Sequence, residues 1–248
     1  QQNRAQLERC RTEHLPVLLR TWQDDPRKGV EKLLQQYRRK YEKMEKELAR
    51  LEEMLTYERE YGSCSVIAGV DEAGRGPLAG PVVAAAVILP REHKILYLND
   101  SKKLSAARRE ELHDQIMGEA VSVGVGQASP EMIDEVNILQ ATYLAMREAV
   151  SRLDPAPALL LNDAVTIPGI GIRQVPIVKG DGKSLSIAAA SVIAKVTRDR
   201  MMKAYDSLYP AYGFGEHKGY GSEKHIAVLK EIGPCPIHRR TFIKHFTQ

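Results

Sequence analysis

Cysteine is scarce. Three occur, Cys10, Cys64 and Cys235, far apart, odd in number and in no Cys-x-x-Cys pair. That speaks against a disulfide framework or a zinc knuckle and suits a reducing cytoplasm. Long hydrophobic runs are absent too. The longest, Ala79 to Pro90, is broken by Pro81 and is too short to span a bilayer. No signal-peptide pattern is read ahead of it, and no membrane partner is expected. Net charge is small: 36 Lys and Arg against 32 Asp and Glu leave +4. Any nucleic-acid face must therefore come from local clustering. Glycine is nearly missing from one region. Residues 1–61 hold Gly29 alone, while the chain has 18 in its 248 residues. A chain of this length can bury one substantial core with a smaller appendage.

What is present is a set of four scattered carboxylates. Asp71 and Glu72 end the apolar run Val66-Ile67-Ala68-Gly69-Val70, Asp163 follows Ala158-Leu159-Leu160-Leu161, and Asp181 follows Val175 to Val178 and Lys179-Gly180. No His or Cys accompanies them in these segments, so the pattern points to an oxygen-only site for a hard cation such as Mg²⁺ or Mn²⁺. Such sites leave positions open for water and phosphate, which makes phosphodiester chemistry the first expectation. Successive strand residues face opposite ways, so Asp71 and Glu72 share a site only if the strand ends between them. The turn-forming Ala73-Gly74-Arg75-Gly76-Pro77 that follows suits such an ending. A turn-capping or solvated role is open to each acid taken singly.

Residues 1–61 read as helical. Leu7 to Leu19 is a first helix disturbed by Pro16, and Asp24-Asp25-Pro26 reads as an N-cap followed by proline at the first helical position. Apolar residues then fall at Val30, Leu34, Tyr37, Tyr41, Met44, Leu48, Leu51 and Leu55, a heptad seam. Glu42 and Lys46 add a favourable i,i+4 pair. The segment reads either as a helical hairpin burying its own stripe or as an arm presenting Arg38, Arg39, Lys40 and Lys43 to a partner or nucleic acid. Tyr61-Gly62-Ser63 is the expected boundary, giving a helical extension over 1–61 and a main domain over 64–248.

The main domain alternates strand and helix patterns. Strands are expected at Val66–Asp71, Val82–Leu89, Val121–Gly126, Ala158–Leu161 and Arg173–Val178. Helices are expected at Ser105–Met117, Pro130–Leu153, Ser184–Leu208 and Ser222–Ile232. The Gly/Pro turn between the first two strands suits an antiparallel pair, and the whole describes a mixed α/β sheet covered by helices. Strand C-termini are where such sheets place ligands.

Other strings carry alternatives. Gly74-Arg75-Gly76-Pro77-Leu78-Ala79 matches a dinucleotide fingerprint, but that motif needs a following helix N-terminus, and Pro81 with Val82-Val83 argues for a strand. The glycines instead allow close approach to a nucleic-acid sugar while Arg75 meets phosphate; a tight turn with an exposed arginine is the plainer reading. Lys102 and Lys103, before a helix, are phosphate contacts or an ordinary helix entry. Tyr212 to Gly221 interleaves aromatics, glycines and cationic groups, which suits stacking on nucleotides. Within it, His217 is a proton shuttle, a partner to an acid or a surface hydrogen-bonder. The small apolar run Ile187 to Ala194 is expected to pack on the sheet with no chemistry, with Lys195, Arg198 and Arg200 on the more polar part that follows.

Taken together, four ordered strings resemble the bacterial ribonuclease HII branch of the type 2 ribonuclease H family. They are Gly69-Val70-Asp71-Glu72-Ala73-Gly74-Arg75-Gly76-Pro77-Leu78, Asn99-Asp100-Ser101-Lys102-Lys103-Leu104, Lys179-Gly180-Asp181 with Ser186 to Asp199, and Tyr212-Gly213-Phe214 with His217-Lys218-Gly219-Tyr220. The resemblance covers about residues 64–248. It implies a ribonuclease H-like fold and a metal-dependent endonuclease, acting as a monomer on RNA–DNA hybrids and on ribonucleotide-containing duplex DNA, cut on the 5′ side of the ribonucleotide. Asp71, Glu72, Asp163 and Asp181 would be the family's four acids. Gly74, Arg75 and Gly76 would read the ribose, Tyr220 would stack on a sugar and Lys102 would contact phosphate. Asp163 is followed by Ala164, where many members have glycine. A related branch also bears an N-terminal extension, but the intact Gly-Arg-Gly loop, Tyr220 and an aspartate as fourth acid favour this one.

The chemistry implied is two-metal-ion hydrolysis leaving 5′-phosphate and 3′-hydroxyl ends, with ribose told from deoxyribose at the 2′-hydroxyl. A junction resolvase of the same fold and a non-catalytic nucleic-acid-binding module are the competing readings. Loss of residues 1–61 is expected to weaken substrate binding more than turnover.

Overall fold

The computed structural model describes residues 15–22, 25 and 27–246. It divides into two compact units, residues 1–53 and 54–248.

In the first unit, helix α1 spans Leu15–Thr21 and helix α2 begins at Lys28 and runs to Met54. The start of the expected first helix, and Asp24 and Pro26 of the expected cap, lie outside the described residues. The early part of the heptad seam works as a hairpin. Leu19 of α1 and Val30 and Leu34 of α2 are buried together, with Trp22, Leu33, Tyr37 and Tyr41 packed around them. Asp25 accepts from the Arg27 backbone N–H at 3.1 Å and pairs with its guanidinium at 2.5 Å.

The second unit opens with a short helix α3 (Thr56–Glu60) and carries one five-stranded sheet: β1 Ile67–Ala73, β2 Val82–Ile88, β3 Ser122–Ala128, β4 Leu159–Asp163 and β5 Arg173–Ile177. Their order is β3-β2-β1-β4-β5. The first three strands are antiparallel neighbours, as the Gly/Pro turn between β1 and β2 requires. β4 joins β1, and β5 joins β4, in parallel. Helices α4 (Ala106–Glu119), α5 (Pro130–Ser151), α6 (Leu185–Leu208), α7 (Phe214–His217), α8 (Glu223–Ile232) and α9 (Arg240–Ile243) complete it. Four of them start where a serine precedes the apolar pattern. Ser105, Ser129, Ser184 and Ser222 each accept a backbone N–H three residues on, satisfying a donor that the first turn leaves open.

Strand alternation sorts the two faces. Ala68, Val70, Val82, Ala84 and Ala86 pack with Ile133, Ala141, Ala145, Met146 and Ala149 of α5 in one apolar cluster. Gly69, between two of them, meets α6: a Cβ there would fall 2.0 Å from the Ser186 carbonyl carbon. α6 can lie this close to β1 only because residue 69 has no side chain. α5 departs from its expectation as a continuous helix. Asn137 has φ +68 and its side chain caps the restart by accepting from the Leu139 and Gln140 N–H groups, a conformation asparagine tolerates better than most residues.

Candidate active site

The sheet order determines the site. Because β1 and β4 run in parallel with Val70 opposite Asn162, Asp71 and Asp163 emerge side by side at the C-terminal ends of adjacent strands. Asp181 arrives on the 3-10 turn Gly180–Gly182 after β5. That turn is tied down where it starts, for the Gly180 N–H donates to Asp163 Oδ1 at 2.7 Å. One oxygen from each of Asp71, Asp163 and Asp181 lies within 4.8 Å of the others. Glu72 stands beside this trio rather than in it. β1 does not end between Asp71 and Glu72 as expected but runs on to Ala73, pairing Asp71 with Ala85 and Glu72 with Ala84. Antiparallel pairing with β2 holds both acids in the pleat, and alternation turns their side chains apart.

The electrostatics are those of a site awaiting positive charge. Asp71 is 3% exposed and Asp181 6%. Burial, then Glu72 and Asp163, raises Asp71 well above the usual carboxylate range. Burial raises Glu72 too; Arg75 opposes the rise and Asp163 adds to it. Asp181 is raised by burial, Asp100 and Asp163. Three crowded carboxylates with no nitrogen or sulfur ligand fit a hard, oxygen-seeking divalent cation, whose charge would reverse these shifts.

Around the trio, the other expected residues are brought close. Lys102 Nζ donates to Asp181 Oδ2 at 3.4 Å and lies 3.8 Å from Asp100, while its side chain stays 75% exposed. Arg75 reaches Glu72 at 3.5 Å. Gly74 has φ +95, and a Cβ there would lie 2.0 Å from Arg198 Nε, so both conformation and space demand glycine. Gly76 sits beside Tyr220, whose Cε1 would be 3.9 Å from a Cβ on residue 76; Tyr220 is 46% exposed. His217 meets none of the acids. Its Nε2 bonds the Tyr212 carbonyl at 2.8 Å and its Nδ1 accepts from the Gly219 N–H at 3.1 Å, so it shapes the loop that carries Tyr220.

Two neighbours of the acids escaped sequence reasoning. Ser191, in the run expected to carry no chemistry, meets Ser101 Oγ at 2.9 Å, and its hydroxyl works against the upward shift of Asp71. Asp100 stands near Asp181 and its charge adds to the upward shift of that acid; it lies in the Asn-Asp-Ser-Lys string, where the lysines drew attention. A serine breaking an alanine-rich run was the available signal for the first.

Comparison with known proteins places the whole chain. A family model described as ribonuclease HII matches residues 68–245, and one described as the ribonuclease HII N-terminal domain matches residues 1–62. The ribonuclease HII of Lachnoclostridium phytofermentans is 60% identical over 223 residues, 90% of this chain and 88% of that protein. That of Listeria monocytogenes serotype 4a is 52% identical over 241 residues, 96% of this chain and 92% of that protein. Among solved structures, ribonuclease H2 from Pyrococcus horikoshii superposes with a TM-score of 0.61 at 29% identity, covering 73% of this chain and 98% of that one. The Archaeoglobus fulgidus ribonuclease HII, solved in complex with PCNA, gives 0.62 at 31% identity, covering 72% and 94%. With half or more of its residues shared along nearly the whole of both chains, the protein belongs to the ribonuclease HII family and is a ribonuclease H, an endonuclease that hydrolyses phosphodiester bonds.

Proposed function

We propose that this enzyme cuts the RNA strand of RNA–DNA hybrids, and cuts duplex DNA on the 5′ side of a single embedded ribonucleotide, by two-metal-ion hydrolysis with Mg²⁺ or Mn²⁺. The observation that carries the reading is the trio Asp71, Asp163 and Asp181, the first and last of them buried, whose oxygens converge within 4.8 Å. These three would hold the cations, with Glu72 contributing from the adjoining position. When bound, such ions acidify an attacking water and neutralise charge growing on the phosphate and the departing 3′-oxygen. The remaining work falls to the protein. Asp71 and Asp181, held in low-dielectric surroundings, keep their carboxylates oriented through the Glu72 N–H and Lys102. Lys102, exposed and next to Asp181, would take a backbone phosphate. The Gly74–Gly76 loop would offer backbone donors to the 2′-hydroxyl, and Tyr220 beside it would pack on the neighbouring sugar.

The test uses a labelled duplex with one ribonucleotide, a full RNA–DNA hybrid and an all-DNA duplex, each with Mg²⁺, Mn²⁺ or EDTA. Cutting of the first two only, dependent on metal and lost in Asp163→Asn, is expected. Equal cutting of all-DNA, or cutting in EDTA, would sink the reading.

A further inference from the structure

Two arginines with no part in the chemistry above, Arg198 and Arg239, are the largest fully buried side chains among the described residues, at 1% and 0% exposure. Burying a charge is expensive unless its hydrogen bonds are satisfied, and here every bond goes to a backbone carbonyl. Arg239 donates to Gly80 O at 2.9 Å, Arg75 O at 2.9 Å and Gly74 O at 2.5 Å. Arg198 donates to Pro81 O at 2.9 Å, Lys218 O at 3.0 Å and Ala79 O at 3.0 Å. Burial pushes the guanidiniums down, to about 10 for Arg198 and about 9 for Arg239, which leaves both charged at neutral pH. The Phe242 ring lies 5.1 Å from the Arg239 guanidinium, fixing its plane.

The carbonyls chosen matter. In a trans peptide the C=O and the following N–H point to opposite sides. With the oxygens of Gly74 and Arg75 held inward on Arg239, the N–H groups of Arg75 and Gly76 are turned away from it. Both residues are exposed, and no hydrogen bond within the described residues uses either N–H. A pair of adjacent, unspent and rigidly aimed donors next to an exposed Tyr220 ring is what a sugar-hydroxyl probe requires. Arg198 treats the neighbouring segment alike. It holds the Lys218 carbonyl, while Gly219 O accepts from the Leu78 N–H at 2.8 Å, so the segment leading into Tyr220 is locked to the same loop.

We infer that Arg239 is a positioning residue for ribose discrimination: it holds the Gly74 and Arg75 carbonyls so that the Arg75 and Gly76 N–H groups stand fixed as the donors that test for a 2′-hydroxyl. This rests on the reading of the Gly74–Gly76 loop given above. It is distinct from general stabilisation, because losing the clamp changes what the loop distinguishes rather than how firmly the enzyme grips a duplex.

The experiment measures binding of the full-length enzyme, in EDTA so that nothing is cut, to a labelled duplex with one ribonucleotide and to its all-DNA counterpart. The ratio of the two affinities is the readout, and melting temperature is recorded alongside. Arg239→Lys keeps the charge but lacks the planar fork. It should cut the wild-type ratio by about tenfold, the worth of one misaligned hydrogen bond, while all-DNA affinity stays unchanged. Phe242→Leu, which leaves the arginine in place and loosens it, should cut the ratio partway and carries the test if Arg239→Lys does not fold. A wild-type ratio of one overturns the loop reading and the inference with it. A wild-type preference that survives unchanged in the folded variants, or a loss of affinity equal for both duplexes, overturns the inference and leaves the loop reading standing.

Discussion

The carboxylate trio should destabilise the metal-free protein, so removing one acid should raise its melting temperature while abolishing cleavage. Asp71→Asn is the informative change. Asp71 Oδ1 accepts the Glu72 N–H at 2.7 Å, a bond asparagine can keep. Its repulsion is what the substitution removes. At an effective dielectric constant of about 20, two full charges 4.8 Å apart repel by about 3.5 kcal/mol. Asp71 faces two such partners, and the upward shift that burial and its neighbours impose favours the neutral form and offsets part of this repulsion. A net gain of about 2 kcal/mol is expected, a rise of roughly 4–8 °C for a chain of this size. The sign is pH-dependent. Between the unfolded carboxylate value near 3.8 and the raised folded values, the folded state binds more protons, so wild-type stability falls as pH rises through that window. The variant should show a shallower fall, and its advantage should be greatest at pH 8. Thermal melts in EDTA and in excess Mg²⁺ check this. Metal should raise the wild-type midpoint by mass action and move Asp71→Asn far less, narrowing or reversing the order. An Asp71→Asn midpoint in EDTA at or below wild type would refute the claim that the three acids are mutually repelling ligands.

Other expectations concern the surroundings. Burial and then His225 push His238 down to about 4. The unfolded state therefore binds more protons between about pH 4 and 6.5, and stability is lost as pH falls through that range; His238→Gln should flatten the acid side of a urea-midpoint curve by on the order of 1–3 kcal/mol, and an unchanged slope would count against a neutral buried histidine. Lys102→Ala should raise KM several-fold and lower the salt slope of substrate binding by about one, with an unaltered slope excluding a phosphate contact. Removing residues 1–53 should weaken substrate binding more than turnover. Removing 1–61 should also lower the denaturant midpoint, reflecting about 1–2 kcal/mol less stability than the shorter deletion, because Glu58 caps α6 through Ser184 Oγ at 2.6 Å and the Ser186 N–H at 3.0 Å. Equal midpoints for the two deletions would discount that cap.

Much of this molecule was legible locally. Four helix starts were expected within a residue of the serines that cap them, and the turn after β1 announced its antiparallel partner, because capping and turn chemistry act over three or four residues. The residue types of the carboxylate trio were legible for the same reason, as acids without nitrogen or sulfur companions at the ends of apolar runs. The strand end of β1 was misplaced because the turn signal at Gly74-Arg75-Gly76 competes with ladder bonds to β2 that no local pattern reveals.

By itself the sequence determined the elements, their periodicities and a pool of candidate acids, since each depends on interactions between near neighbours along the chain. Tertiary structure decided which of them meet. The parallel joining of β1 and β4 set Asp71 beside Asp163. The packing of α6 over Gly69 set Ser191 against Asp71. Contacts across 165 residues from Arg239 to Gly74, and across 119 from Arg198 to Ala79, made buried clamps of two arginines that look like surface charges in the sequence. Such pairings are fixed by the free energy of burying the whole core at once, and no window of the chain contains that quantity.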